Sequence, residues 1–143
     1  MSNQKKSALL IIDVQVGIAR GKDAYAGWPA ILANIVSLIA RARSSDLPVI
    51  FIQHDGAPGH RLEPGTDGWA LCPELGVQRV DRVIRKTASD AFFDTSLEST
   101  LRERGITHLI VAGCMTEYCV DTTVRRAVSL GFDVTLAADA HGT

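Results

Sequence analysis

HLIVAGCMTEYCVDTTVRRAVSLGFDVTLA, residues 108–137, holds a strand, a helix and a second strand in immediate succession. His108–Ala112 and Asp133–Ala137 are short runs rich in Val, Ile and Leu without polar alternation, as expected of strands buried on both faces. The stretch between them predicts a helix that starts near Thr116 or Glu117, runs to Leu130 and is closed by Gly131 as its C-cap. Short apolar runs alternating with longer helical patterns are the signature of βαβ units and a parallel sheet. The same rhythm continues outward. Ala8–Ile12, Pro48–Gln53 and Arg82–Ile84 read as three more strands. Trp28 to Arg43 carries Ile31, Leu32, Ile35, Leu38 and Ile39 on one helical stripe. Thr95 is the expected N-cap of another helix, with Glu98 completing a capping box and Gly105 ending it. Five strands alternating with helices predict an α/β fold with a parallel, Rossmann-like sheet.

Composition narrows the class. The chain has 143 residues, 46% hydrophobic and 22% charged, with 15 Lys plus Arg against 16 Asp plus Glu for a net charge of −1. We expect one domain over residues 1–143, burying roughly 68% of the surface the unfolded chain would expose. A balanced charge provides no field to gather nucleic acid or an anionic membrane. The N-terminal apolar run stops at Asp13, too short for a signal segment or a membrane span, so the expected location is cytoplasmic. The three cysteines, Cys72, Cys114 and Cys119, fit neither a disulfide framework nor a CxxC metal pair, and read as reduced thiols.

The segment from His54 to Asp81 breaks the rhythm and holds three of the five prolines. Connections of this length are often binding loops. A plain surface excursion with a short helix around Pro73–Leu75 fits the composition equally well, and Trp69 tips the reading toward a pocket wall.

In parallel α/β sheets ligands bind beyond the carboxyl ends of the strands. The first polar residues there are Asp13 with Gln15, then His54 with Asp55, then Lys86, then Gly113 to Cys119 leading into a helix. An acid, an amine and a thiol thus converge on one edge. The helix dipole and a neighbouring ammonium favour a thiolate, and a carboxylate can take the thiol proton. Each residue alone has a simpler reading: Asp13 as a turn cap, Lys86 as a solvated base, Cys119 as a small buried hydrophobe. The conjunction of three independent segments at one edge favours an activated nucleophile.

LLIIDVQ (9–15), VIRKTASDAFFDTSL (83–97) and VAGCMTEYCVDTTVRRA (111–127) resemble the three signature regions of the isochorismatase-like cysteine hydrolases, a group that includes nicotinamidases and N-carbamoylsarcosine amidases. The resemblance implies a three-layer α/β/α sandwich with strand order 3-2-1-4-5-6 and a catalytic triad of Asp13, Lys86 and Cys119. It also implies a cis peptide at Cys114–Met115 and an oxyanion hole made by the backbone N–H groups of Met115 and Cys119. Proximity to the motifs assigns Gln15, Trp69, Phe92 and Tyr118 to the substrate pocket, with a core role equally open for the aromatic residues.

The Asp–x–His metal pair of nicotinamidases is replaced here by His54 and Gly56, so no metal and no cofactor is expected, although His54, Asp55 and His60 remain possible ligands. The implied activity is metal-independent cleavage of a small amide, imide or carbamoyl compound through a Cys119 thioester. The alternatives are a nicotinamidase-like enzyme with an atypical metal site and a catalytically silent binding or scaffold module. A homo-oligomer, dimer or tetramer, is usual for such proteins. Relatives continue past Thr143 into another helix and a sixth strand, so strand five is expected to lie as an uncovered edge of a C-terminally short domain.

Overall fold

The computed structural model describes residues 5–21 and 24–143. Its strands are β1 (Ser7–Ile12), β2 (Val49–His54), β3 (Arg82–Lys86), β4 (His108–Cys114) and β5 (Asp133–Gly142), and its longer helices are α2 (Trp28–Ser44), α3 (Leu97–Glu103) and α4 (Asp121–Ser129). A short helix, α1 (Val16–Ala19), follows β1. All strands are parallel, in the order β3-β2-β1-β4-β5. The three-layer sandwich and the strand order expected from the sequence are therefore present. Among the described residues no helix is long and apolar enough to cross a membrane.

β1 lies at the centre, which explains its unbroken apolar run. Leu9 and Ile11 face one layer with Ile35, Ile39 and Phe51, while Ala8, Leu10 and Ile12 face the other with Leu97, Leu101 and Ala127. Register carries the carboxyl ends to one edge. Ile12 pairs with Ile52 and Gly113, and His54 pairs with Lys86. Gly113 is obligatory there, because its φ is 127° and an added Cβ would sit 2.1 Å from the Ile12 carbonyl oxygen.

Several boundaries differ from the sequence reading. β5 extends to Gly142 across a register shift between Val111 and Gly113 on its neighbour. The helix after β4 opens as a single π-helical turn, Thr116–Val120, before α4 begins. Thr95 is not the cap of α3: Ser96 holds that position, while Thr95 Oγ1 accepts from Leu97 N–H at 3.2 Å and donates to Ala91 O at 2.6 Å. Glu98 consequently has no capping role and pairs with Arg102 one turn on, at 3.4 Å. Segment 54–81 is a packed excursion with short 3₁₀ turns at Asp67–Trp69 and Pro73–Leu75. It is tied back to the end of β1 by Val16 N–H to Ala70 O at 2.9 Å and Cys72 N–H to Val14 O at 3.0 Å.

Candidate active site

The chain leaves β1 at Asp13, whose φ of 53° turns the backbone out of the sheet. That left-handed conformation is rare for a residue with a side chain and best tolerated by Asn and Asp. Asp13 is held on both sides of its backbone, donating its N–H to Ile52 O at 3.1 Å and accepting from the Cys114 thiol at 3.0 Å. Its carboxylate faces Lys86 from the end of β3, with Asp13 Oδ2 to Lys86 Nζ at 3.0 Å and both side chains buried. The same ammonium reaches Ala88 O at 2.8 Å, His54 Nδ1 at 2.9 Å and Cys119 Sγ at 3.3 Å. Lys86 thus touches the acid, the imidazole and the thiol at once.

Asp13 Oδ1 is buried without a hydrogen-bond partner. Buried polar atoms are rarely left so, and an orphan acceptor beside a thiol is the natural recipient of its proton. One ligand atom each of Asp13, His54 and Cys119 lies within 4.8 Å of the others. Burial raises the Asp13 carboxyl above its usual range, with Lys86 pulling the other way. Burial, followed by the Asp13 charge, pushes the Cys119 thiol up to about 11. Desolvation and the facing carboxylate thus oppose the Lys86 ammonium and the helix end, which favour the thiolate. Cys72 is likewise pushed up to about 11 by burial, and Cys114 goes well above its ordinary value. Neither lines the cavity that opens beside Cys119.

That cavity, about 220 Å³, is walled by Asp13, His54, His60, Arg61, Leu62, Ser89, Met115, Tyr118 and Cys119, with Ile18 at its back. Of the four pocket residues expected from the sequence, only Tyr118 is on its wall. Gln15 is completely buried and acts as a clamp: Nε2 donates to Trp69 O at 2.8 Å and His54 O at 3.0 Å, and Oε1 accepts from His54 N–H at 3.0 Å. Trp69 points away, donating Nε1–H to Asp55 at 2.8 Å with Arg85 stacked 5.0 Å from its ring. Phe92 belongs to the core, its ring 5.9 Å from Phe132. Sequence reasoning missed Arg61, Leu62, Ser89 and the Met115 side chain as wall residues, held His60 only as a possible metal ligand, and placed His54 at the strand edge without a pocket role. The pairing of His54 with Lys86 on neighbouring strands was the one available signal; the loop residues had none.

The Cys114–Met115 peptide bond is cis. Beyond it, Tyr118 and Val120 N–H both turn back to Met115 O, at 3.1 and 3.2 Å, and the Cys119 amide between them is not committed to that carbonyl.

The donor set of Asp13, His54 and Cys119 is of a kind that holds divalent metals. Here its common point already contains a cation, the Lys86 ammonium, within 3.3 Å of an atom of each. Asp55, weighed with His54 and His60 as a ligand, is committed instead to Trp69 and Arg85.

The isochorismatase domain model matches residues 7–143. The chain is 40% identical over 136 residues to a streptothricin hydrolase of Streptomyces noursei, covering 95% of this chain and 49% of that protein, so it spans about half the length of that relative. Among solved structures it is similar to an isochorismatase from Pseudomonas putida KT2440, with a TM-score of 0.91 and 36% identity over 99% of this chain and 74% of that one. It is also similar to N-carbamoylsarcosine amidase from Thermoplasma acidophilum, with a TM-score of 0.92 and 25% identity over 96% and 84% of the two chains. Together with the sheet order and the match across almost its whole length, these likenesses make the chain a member of the isochorismatase family.

Proposed function

We propose that this chain is a cysteine amidohydrolase that cleaves a C–N bond of a small amide, imide or carbamoyl compound through a thioester on Cys119. The observation that carries the reading is the buried Asp13 carboxylate, one oxygen of which has no hydrogen-bond partner, within 4.8 Å of a thiol that shares the Lys86 ammonium with it. The amidase name of one structural relative supports the same class of bond, and the hydrolase name of another relative supports hydrolysis.

As the substrate carbonyl enters, Asp13 Oδ1 takes the thiol proton and Cys119 Sγ forms a bond to the carbonyl carbon. A thiol near pKa 11 needs this base at the moment of attack. The Met115 and Cys119 amides are the donors for the developing oxyanion, where one donor contributes roughly 3 kcal/mol in comparable sites. Asp13 then returns the proton to the leaving nitrogen as the C–N bond breaks. Water attacks the thioester, giving its proton to Asp13 and then to the departing sulfur. Lys86 stays cationic throughout and holds carboxylate and sulfur in register.

Intact mass spectrometry during incubation with a panel of primary amides and carbamoyl compounds is the test. An acyl adduct that maps to Cys119, together with complete loss of turnover in Cys119→Ala, is expected. Turnover retained by Cys119→Ala would sink the reading.

A further inference from the structure

His60, Arg61 and Leu62, from the 54–81 excursion, line the cavity on a wall that the backbone holds in place. Gly56 N–H donates to Leu62 O at 2.9 Å, His60 N–H to Ala57 O at 2.9 Å, and Leu62 N–H to His60 Nδ1 at 3.0 Å. Leu62 is buried beneath it. The Arg61 backbone is wedged between two glycines: a Cβ on Gly17 would sit 2.7 Å from Arg61 O, and one on Gly68 only 2.2 Å. Two separate segments thus give up a side chain so that backbone can close on this residue.

Arg61 is the only lysine or arginine on the cavity wall, and it has no carboxylate partner among the described residues. Its guanidinium donates to Met115 Sδ at 3.7 Å, a weak acceptor that uses one of the five N–H donors of an arginine. The carboxylate on the same wall, Asp13, is matched by Lys86, so the exposed Arg61 guanidinium at the cavity mouth faces no free carboxylate among the described residues. The histidines add donors. His54 Nδ1 accepts from an ammonium and His60 Nδ1 accepts from an amide, which puts the proton of each neutral ring on Nε2. A cavity of about 220 Å³ lies below the roughly 300–1,000 Å³ usual for ligand sites and suits a small molecule.

We propose that Arg61 is a specificity-determining residue and that the substrate is an anionic amide: its carboxylate seats against the Arg61 guanidinium while its scissile carbonyl meets Cys119. This rests on Cys119 being the nucleophile. A guanidinium fork matches a carboxylate in a bidentate geometry that a neutral amide cannot supply.

Two probes of equal size separate charge from chemistry. Iodoacetate and iodoacetamide alkylate the same thiol with the same leaving group and differ in a carboxylate against a carboxamide. The ratio of their rates at Cys119, read by peptide mass spectrometry, is compared between the protein and Arg61→Met, which keeps most of the stem and leaves the Arg61 backbone contacts untouched. We expect the iodoacetate to iodoacetamide ratio to fall about tenfold or more in Arg61→Met, with the iodoacetamide rate itself within about twofold. Arg61→Lys should retain part of the preference, and added salt should erode it in the wild-type protein. An unchanged ratio in Arg61→Met, with Cys119 still reacting normally with iodoacetamide, overturns the proposal and leaves the nucleophile standing. Failure of both reagents at Cys119 in the folded wild-type protein overturns the nucleophile, and the Arg61 assignment with it.

Discussion

Replacing Lys86 by methionine removes the ammonium while leaving a chain of similar volume in a fully buried site. Asp13 Oδ2 then loses its only charge partner 3.0 Å away, and Ala88 O and His54 Nδ1 lose their donor. Of these the carboxylate dominates, since breaking a buried pair from one side costs about 3–5 kcal/mol. With an unfolding entropy near 2.1 cal/mol/K per residue, 143 residues give about 0.3 kcal/mol/K, so Tm at pH 8 should fall by about 10–17 °C. The deficit should depend on pH in a defined direction. Without Lys86 to lower it, the Asp13 carboxyl titrates still higher above 3.8 in the folded state, so the folded state binds a proton that the unfolded chain does not. Lys86→Met therefore regains stability as pH falls through that window, by up to about 1.4 kcal/mol per unit. His54, relieved of Lys86 but still buried, loses part of its lowering, so its protonation takes less stability from the variant than from the wild-type protein as pH falls, which also narrows the deficit. Urea denaturation of both proteins at pH 8 and pH 5 reads the effect, and Asp13→Asn/Lys86→Met should recover much of the loss at pH 8. A deficit below about 1 kcal/mol, or one equal at the two pH values, would refute the argument that the pair is electrostatically coupled.

Three further outcomes rest on single contacts. Gln15→Ala strips three hydrogen bonds from the backbone of His54 and Trp69 and should cost about 2–4 kcal/mol, with activity falling because His54 and the end of β2 shift; circular dichroism melts and turnover measure the two losses separately. His54 is held neutral, its pKa lowered by burial and by Lys86, so the unfolded chain takes up a proton near 6.5 before the folded one does. Stability should therefore drop as pH falls from about 6.5 toward the folded value, and His54→Asn should remove about one proton's worth of that slope, up to 1.4 kcal/mol per unit, in urea midpoints taken between pH 7.5 and 5. Gly113→Ala would drive a Cβ to within 2.1 Å of the Ile12 carbonyl oxygen at a φ of 127°, and should cost at least about 3 kcal/mol or abolish soluble expression, seen in the yield and melt of the purified variant.

Parallel strand pairing is the part of this molecule that its sequence makes legible. Once β1, β3 and β4 are recognised, the residues that leave their carboxyl ends must meet at one edge, and Asp13, Lys86 and the Gly113–Cys119 turn do so. Pocket walls obey no such rule. Gln15 stands two residues beyond Asp13 and reads as a pocket residue, yet the left-handed turn at Asp13 carries it under the sheet edge, where three backbone groups need its amide. Trp69 reads as a wall because it is large and lies in a loop, but its indole N–H finds Asp55 and turns the ring outward. Phe92 stacks near Phe132, forty residues away, a contact no motif records.

The difference lies in the range of the physics. Strand pairing is a repeating interaction, so one register places every residue along it, and His54 arrives beside Lys86 without any information of its own. Arg61 is placed by the missing Cβ atoms of Gly17 and Gly68, on two segments that flank it only after folding. Gly17 lies in α1 and Gly68 in the Asp67–Trp69 turn, and at each the absence of an atom lets backbone close on the Arg61 carbonyl. In this fold the proposed reacting groups hang from the ends of the ladder and the proposed discriminating one hangs from such contacts, which is why the first could be read along the chain and the second required the structure.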